Sequence, residues 1–199
     1  RGVAVSPNGD RLASIAADGL LRIWNLESGK KVAWTDFGGY SVAFDARGSR
    51  ILCLDAQGQP KVVDLVSNQG LPMDRLQMPA ERVCFTLDGT HVVASGSGGI
   101  SLLRLVDGQL VATHAARGGS GILGVALSPD GKQVAAVSQR SIHVFTTNTL
   151  TPVPDLSRRH NAPEPTGATW WGAAGVMVPG QDGLLYGSGK VSAGPVVAV

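Results

Sequence analysis

One phrase returns along the chain at nearly constant spacing, and that recurrence limits the fold more than any other feature. It reads VAVSPNG at Val3–Gly9, VAFDARG at Val42–Gly48, VCFTLDG at Val83–Gly89 and VALSPDG at Val125–Gly131. The steps are 39, 41 and 42 residues, and a weaker copy, ATWWGAAG at Ala168–Gly175, follows 43 residues later. A fixed period of about 40 residues means one supersecondary unit copied in tandem, each copy too small to bury its own apolar faces.

Each copy predicts a strand, a tight turn and a second strand. In Ser6-Pro7-Asn8-Gly9 and Ser128-Pro129-Asp130-Gly131, Pro presets φ, Asn or Asp tolerates the bridge region, and Gly accepts positive φ. Second strands are expected at Arg11–Ala16, Arg50–Asp55, His91–Gly96, Gln133–Ser138 and Gly175–Gly180. Short turns follow at Asp18-Gly19, Gln57-Gly58, Gly98-Gly99, Gln139-Arg140 and Asp182-Gly183. Third strands then read Leu20–Asn25, Lys61–Val66, Ile100–Leu105, Ser141–Thr146 and Leu184–Gly187. Val32–Trp34, Gln109–His114 and Pro195–Val199 are candidates for a fourth, outer strand. No window keeps an i, i+3, i+4, i+7 apolar pattern free of Gly or turn residues, so no helix is expected. The fold class is therefore all-β: a β-propeller of four-stranded antiparallel blades, with about five blades present.

The whole span, residues 1–199, is expected to be one propeller domain or a piece of one. Its approximate repeats are 1–38, 39–80, 81–121, 122–165 and 166–199. A larger, seven-bladed ring is the favoured parent, because the chain opens at Arg1 inside an innermost strand. Charged residues make up only 16% and the formal net charge is +2, which leaves no basic stripe for nucleic acid. Apolar runs stay far below the ~18 residues a membrane-spanning helix needs, so no membrane span is expected. Two cysteines cannot form a disulfide scaffold. The expected location is cytoplasmic.

Strings that mimic catalytic or cofactor motifs fail on context. The glycines of Gly118–Gly124 fit a dinucleotide pattern but run into a strand and turn, not a helix. Gly187-Ser188-Gly189-Lys190 resembles the end of a phosphate loop, yet Val191 stands where the metal-binding hydroxyl belongs. His91, His114, His143 and His160 show no metal-ligand spacing, and Cys53 and Cys84 sit in apolar strands as buried thiols. The acids Asp18, Asp88, Asp130 and Asp182 have turn roles. No catalytic residue, cofactor or metal is therefore expected. Two features stand out beyond packing. Trp170-Trp171 must send one ring inward and one outward. The polar insertion Ser157–Thr166, with Arg158, Arg159 and His160, reads as a solvated connector or, alternatively, a recognition loop.

The stretch VAVSPNGDRLASIAADGLLRIWN at Val3–Asn25, with VCFTLDGTHVVASGS and VALSPDGKQVAAVSQ further on, resembles the WD-repeat β-propeller family, including its degenerate bacterial members. Trp24-Asn25 is the near-match to the naming dipeptide; Val63-Asp64, Arg104-Leu105 and Phe145-Thr146 replace it elsewhere. The usual Gly-His pair is missing, so the buried His–Asp network of many members is not expected. The resemblance implies a non-catalytic protein–protein interaction scaffold whose partners are proteins or other domains of the same protein. A structural or sensor module in a larger protein is the alternative, and a propeller enzyme or ligand-binding protein the lesser one. By position, the resemblance implies contacts at Arg1, Tyr40, Glu81, Arg82 and Leu123, before the first strands. It implies a second set at Asp18, Arg140 and Asp182, in the second-to-third-strand turns. Tyr40, Arg82 and Arg140 are the favoured anchors.

Overall fold

A computed structural model describes residues 2–16, 18–36, 39, 41–67, 69–116, 121–154, 157–170, 175–183 and 185–187. Among them there is no α-helix, and the strands form five separate antiparallel sheets in chain order. Sheet 1 holds β1 (Gly2–Val5), β2 (Arg11–Ile15), β3 (Leu20–Asn25) and β4 (Lys31–Asp36). Sheet 2 holds β5 (Val42–Phe44), β6 (Arg50–Leu54), β7 (Pro60–Asp64) and β8 (Gln69–Leu71). Sheet 3 holds β9 (Arg82–Phe85), β10 (His91–Gly96), β11 (Gly99–Arg104) and β12 (Leu110–Ala115). Sheet 4 holds β13 (Gly124–Leu127), β14 (Gln133–Val137), β15 (Ser141–Thr146) and β16 (Arg158–Arg159). Sheet 5 has β17 (Thr169–Trp170), β18 (Val176–Pro179) and β19 (Leu185–Gly187). Each is a simple meander, the blade of a β-propeller.

The turn between the first two strands of sheets 1 to 4 is built one way. Its leading residue is Ser6, Asp45, Thr86 or Ser128, and all four are buried. In sheet 1 the Ser6 N–H donates to the Arg11 carbonyl at 2.9 Å and the Gly9 N–H to the Ser6 carbonyl at 2.9 Å. The Arg11 N–H then donates to Ser6 Oγ at 2.9 Å. The side chain thus supplies an acceptor that the turning backbone cannot. His91 N–H to Thr86 Oγ1 (3.0 Å), Gln133 N–H to Ser128 Oγ (2.9 Å) and Arg50 N–H to Asp45 Oδ1 (2.9 Å) repeat the arrangement. Gly9, Gly48, Gly89 and Gly131 close these turns at φ of +74°, +68°, +68° and +70°, which a side chain adopts only under strain.

The described residues fall into two compact units. One runs to Ala94 and includes Ser101–Ala112; the other comprises Ser95–Ile100 and the residues from Thr113 on. In the first unit, Ala13, Ile15, Leu21 and Ile23 of sheet 1 bury against Ile51 and Cys53 of sheet 2. The opposite side of sheet 2, Leu52, Leu54 and Val62, buries against Val83, Phe85, Val92 and Leu103 of sheet 3, with Leu76 and Ala80 in the same cluster. Strand β6 is therefore buried on both sides, and Ile51 to Leu54 are each 0% exposed. Burial pushes the Cys53 thiol up to about 12, helped by the nearby Asp55 carboxylate, and burial alone does the same to Cys84. In the second unit, Ala135, Val137, Ile142 and Val144 of sheet 4 pack on Val176 and Val178 of sheet 5. Trp170 joins that cluster, and its indole N–H donates to the Ala126 carbonyl at 2.8 Å. Gly124 keeps the two sheets close at their inner edge: a Cβ there would stand 2.6 Å from Gly167.

Two details differ from the sequence expectation. Gln69–Leu71, where no fourth strand was expected, forms the outer strand β8, with Asp64↔Gln69 and Val63↔Gly70 as partners. Arg158 and Arg159, read as a connector, form the outer strand β16 opposite Ile142 and Ser141. Before it, the Val144 N–H donates to Ser157 Oγ at 3.2 Å and the Val153 N–H to the Val144 carbonyl at 2.7 Å, so this edge is covered by loop backbone and a hydroxyl. Trp171 and the fourth-strand candidate Pro195–Val199 lie outside the described residues.

Two substitutions test this packing. Leu52→Ala removes a side chain with no exposed surface and should lower the free energy of unfolding by about 2–5 kcal/mol. Val3→Ala, on a side chain that is 72% exposed, should stay within about 0.5 kcal/mol. Chemical denaturation of both variants measures the contrast. Ser128→Ala leaves the Gln133 N–H without its acceptor and should cost about 1–3 kcal/mol in the same assay.

Candidate functional site

The turn joining β14 to β15 is short. The Ser138 N–H donates to the Ser141 carbonyl at 2.9 Å, which leaves Gln139 and Arg140 exposed at the tip. The segment after β16 is tied to that tip through His160, a buried residue. The His160 N–H donates to the Arg140 carbonyl at 3.1 Å, and Nε2 lies 2.9 Å from the Ser138 carbonyl. The Ala162 N–H donates to Nδ1 at 3.2 Å, so Nδ1 accepts and Nε2 carries the proton. The other end of the segment is tied to sheet 5. There the Thr166 N–H donates to the Pro179 carbonyl at 3.0 Å and the Gln181 N–H to the Pro163 carbonyl at 3.2 Å. Between these anchors Glu164 is held at φ +43°, a conformation that costs a non-glycine residue about 1–3 kcal/mol and persists only where the surroundings impose it.

This fixed segment walls two adjoining clefts. One, of about 430 Å³, is lined by Gln139, Arg140, Arg159, His160, Asn161 and Glu164, with Ala162. The other, of about 330 Å³, shares Gln139 and Glu164 and adds Gly121, Leu123, Pro165 and Gln181. Arg140, Arg159 and Glu164 are all exposed, and none of them enters an ion pair among the described residues. The arrangement offers charged groups, an apolar side chain and a braced wall, with no nucleophile–base pair. Among the described residues no three His, Cys, Asp or Glu side chains lie close enough to hold a metal ion, and no helix is long and apolar enough to cross a membrane. A smaller apolar hollow of about 270 Å³ lies by β11, β12 and β15, where the His114 and Phe145 rings stand 4.9 Å apart.

The expected contact residues distribute unevenly. Leu123 and Arg140 meet in the paired clefts, and Asp182 follows the lining residue Gln181. Asp182 accepts a hydrogen bond from the Tyr186 hydroxyl, which raises the Tyr186 pKa. Glu81 and Arg82 are exposed in the first unit, where Arg82 donates to the Glu81 carbonyl at 3.3 Å. Asp18 is clamped by Arg22 at 2.6 and 3.1 Å and by the Leu20 N–H at 3.0 Å. That hydrogen bonding, the Arg22 contact foremost, lowers its pKa to about 2. Tyr40 and Arg1 lie outside the described residues, as do Gly118, Gly119 and Ser188–Lys190 of the two mimic motifs. The sequence puts Gln139 in a second-to-third-strand turn, and Arg159, His160 and Glu164 in the alternative recognition loop, but gives no signal for Gln181. Its place at the cleft depends on the pinning of the Asn161–Pro165 backbone, which no motif encodes.

The family model described as WD domain, G-beta repeat matches residues 1–25 and 108–146. These spans cover β1 to β3, and the outer strand β12 through β15. No curated protein matches the chain.

The Asp18 clamp sets a pH signature. Its folded pKa lies below the ordinary value near 3.9, so its stabilising effect is complete above about pH 4 and fades as pH falls through 2. A carboxyl-carbon NMR titration should give a midpoint of about 2 for Asp18, returning toward about 4 in Arg22→Gln.

Proposed function

We propose that this chain is a non-catalytic protein–protein interaction scaffold; its WD-repeat matches and its meander blades support the reading. Such repeats generally serve as interaction platforms. The observation that carries the reading here is the pair of clefts at one rim of sheets 4 and 5. There an apolar side chain, Leu123, and an exposed guanidinium, Arg140, share walls made by a doubly anchored segment. Rigid presentation matters because binding energy concentrates in a few apolar, aromatic or Arg anchors whose ordering cost is already met. Loops on a fixed sheet framework supply that arrangement.

In this reading residues 1–199 act as one propeller domain or a piece of one, in the cytoplasm, toward protein partners or other domains of the same polypeptide. Tyr40, Glu81, Arg82 and Asp18 are the contact residues proposed for the first unit taken by itself, and Asp182 is proposed with the clefts of the second.

Quantitative capture from a lysate of the source organism tests the reading. The combined variant Leu123→Ala, Arg140→Ala should lose at least about 10-fold of every specifically captured protein, while its thermal melt stays within a few degrees of the parent. A second variant, Tyr40→Ala with Arg82→Ala, tests the first-unit surface in the same way. Unchanged capture by both variants would overturn the assignment of these faces.

A further inference from the structure

Three of the five turns between second and third strands carry an acid, the Ser97-Gly98 turn of sheet 3 carries no charge, and sheet 4 alone carries a cation. In sheet 1 the turn carries Asp18, in sheet 2 Asp55 and in sheet 5 Asp182. Each of those carboxylates is engaged inside the chain. Asp18 holds Arg22; Asp55 accepts from the Gln57 and Gln59 N–H groups at 2.9 Å each and lies 3.9 Å from Lys61 Nζ; Asp182 accepts from Tyr186. In sheet 4 the same turn is Ser138-Gln139-Arg140-Ser141, with a cation and no acid. Arg159 follows on the adjoining outer strand, across from Ser141, and lines the same cleft. The site therefore presents two exposed guanidinium groups without an ion-pair partner among the described residues, where the other charged turns present a carboxylate already satisfied.

Resting on the scaffold reading, we propose that this cleft binds an acidic peptide segment, with a side-chain carboxylate set against Arg140 and Arg159 and an apolar neighbour against Leu123 and Pro165. Guanidinium groups pair with carboxylates through parallel charge-assisted hydrogen bonds, which lysine cannot reproduce. The orientation follows from the lining. Glu164 and Gln139 are common to both clefts, so they lie between the arginine end and the Leu123 end. Arg140 and Arg159 line only one cleft and Leu123 and Pro165 only the other, and that separation sets the register of the carboxylate and its apolar neighbour. The arginines sit beside a wall held by His160 and by the Pro163 and Thr166 backbone bonds, so binding orders little of the protein.

Fluorescence anisotropy on the whole chain provides the test. The probes are a labelled octapeptide of alternating Glu and Leu, the same peptide with Gln for Glu, and a version with phosphoserine for Glu. The acidic peptide should bind at least about 10-fold more tightly than the Gln peptide, and its affinity should fall as salt rises. Arg140→Gln and Arg159→Gln should each weaken it about 5- to 30-fold. Both side chains are exposed, so thermal melts of these variants should match the parent. Leu123→Ala should weaken the acidic and Gln peptides alike. Equal binding of the acidic and Gln peptides, indifference to both arginine variants, binding of the phosphoserine peptide alone, or no binding of the acidic peptide at millimolar concentration would each overturn the proposal. Such a failure with capture still lost in Leu123→Ala, Arg140→Ala leaves the scaffold reading standing; capture unchanged both in that variant and in Tyr40→Ala with Arg82→Ala removes that reading as well.

Discussion

A buried hydroxyl or carboxyl at the head of the inner hairpin governs the geometry of sheets 1 to 4. Ser6, Asp45, Thr86 and Ser128 each accept from the first N–H of the returning strand, where the backbone has turned and offers no carbonyl. A buried polar group left unpaired costs roughly 1–3 kcal/mol, so the turn has one cheap conformation. That conformation fixes the register of the pair, Val5↔Leu12 in sheet 1 and Leu127↔Val134 in sheet 4. A slip of one residue would turn every apolar side chain to the wrong face. The sheet-on-sheet clusters, and with them the rim that carries the clefts, follow from this local choice.

Much of this was open to reading in the chain itself, and the reason is physical. Ser-Pro-Asn-Gly and Ser-Pro-Asp-Gly act through their own backbone, so their consequences need no distant partner. Strands such as ILCL at Ile51–Leu54 announce burial on both sides by an unbroken apolar run. The outer strands were harder. Gln69–Leu71 and Arg158–Arg159 are held by main-chain pairing at a sheet edge, where composition says little. Leu123 and Arg140 were reachable because the repeat places them. Gln181 was not, because its place at the cleft depends on a bond to the Pro163 carbonyl of the pinned segment.

The paired clefts show how a repetitive architecture acquires individuality. The blades share turn chemistry and packing, so difference accumulates where neither is at stake. At the second-to-third-strand turns of sheets 1, 2 and 5 a carboxylate is absorbed by neighbouring donors. In sheet 4 the corresponding tip carries Arg140, and the segment behind it crosses to sheet 5 instead of leaving for solvent. The arginine tip falls outside the clusters of buried residues, so it alters the surface at little expense to the fold, while the crossing segment adds Ala162 to the cluster between sheets 4 and 5.

The two thiols carry a different consequence. Cys53 is sealed at the packing between sheets 1 and 2, and Cys84 sits in β9 of the neighbouring blade; both are held near 12, so almost no thiolate exists at neutral pH. At Cys53, which has no exposed surface, an alkylating reagent can then react appreciably only when the packing of sheets 1 and 2 opens and the sulfur meets water, whereas Cys84 is only partly buried. Cys53 is thus a native clock whose ticking rate records how often those two sheets part.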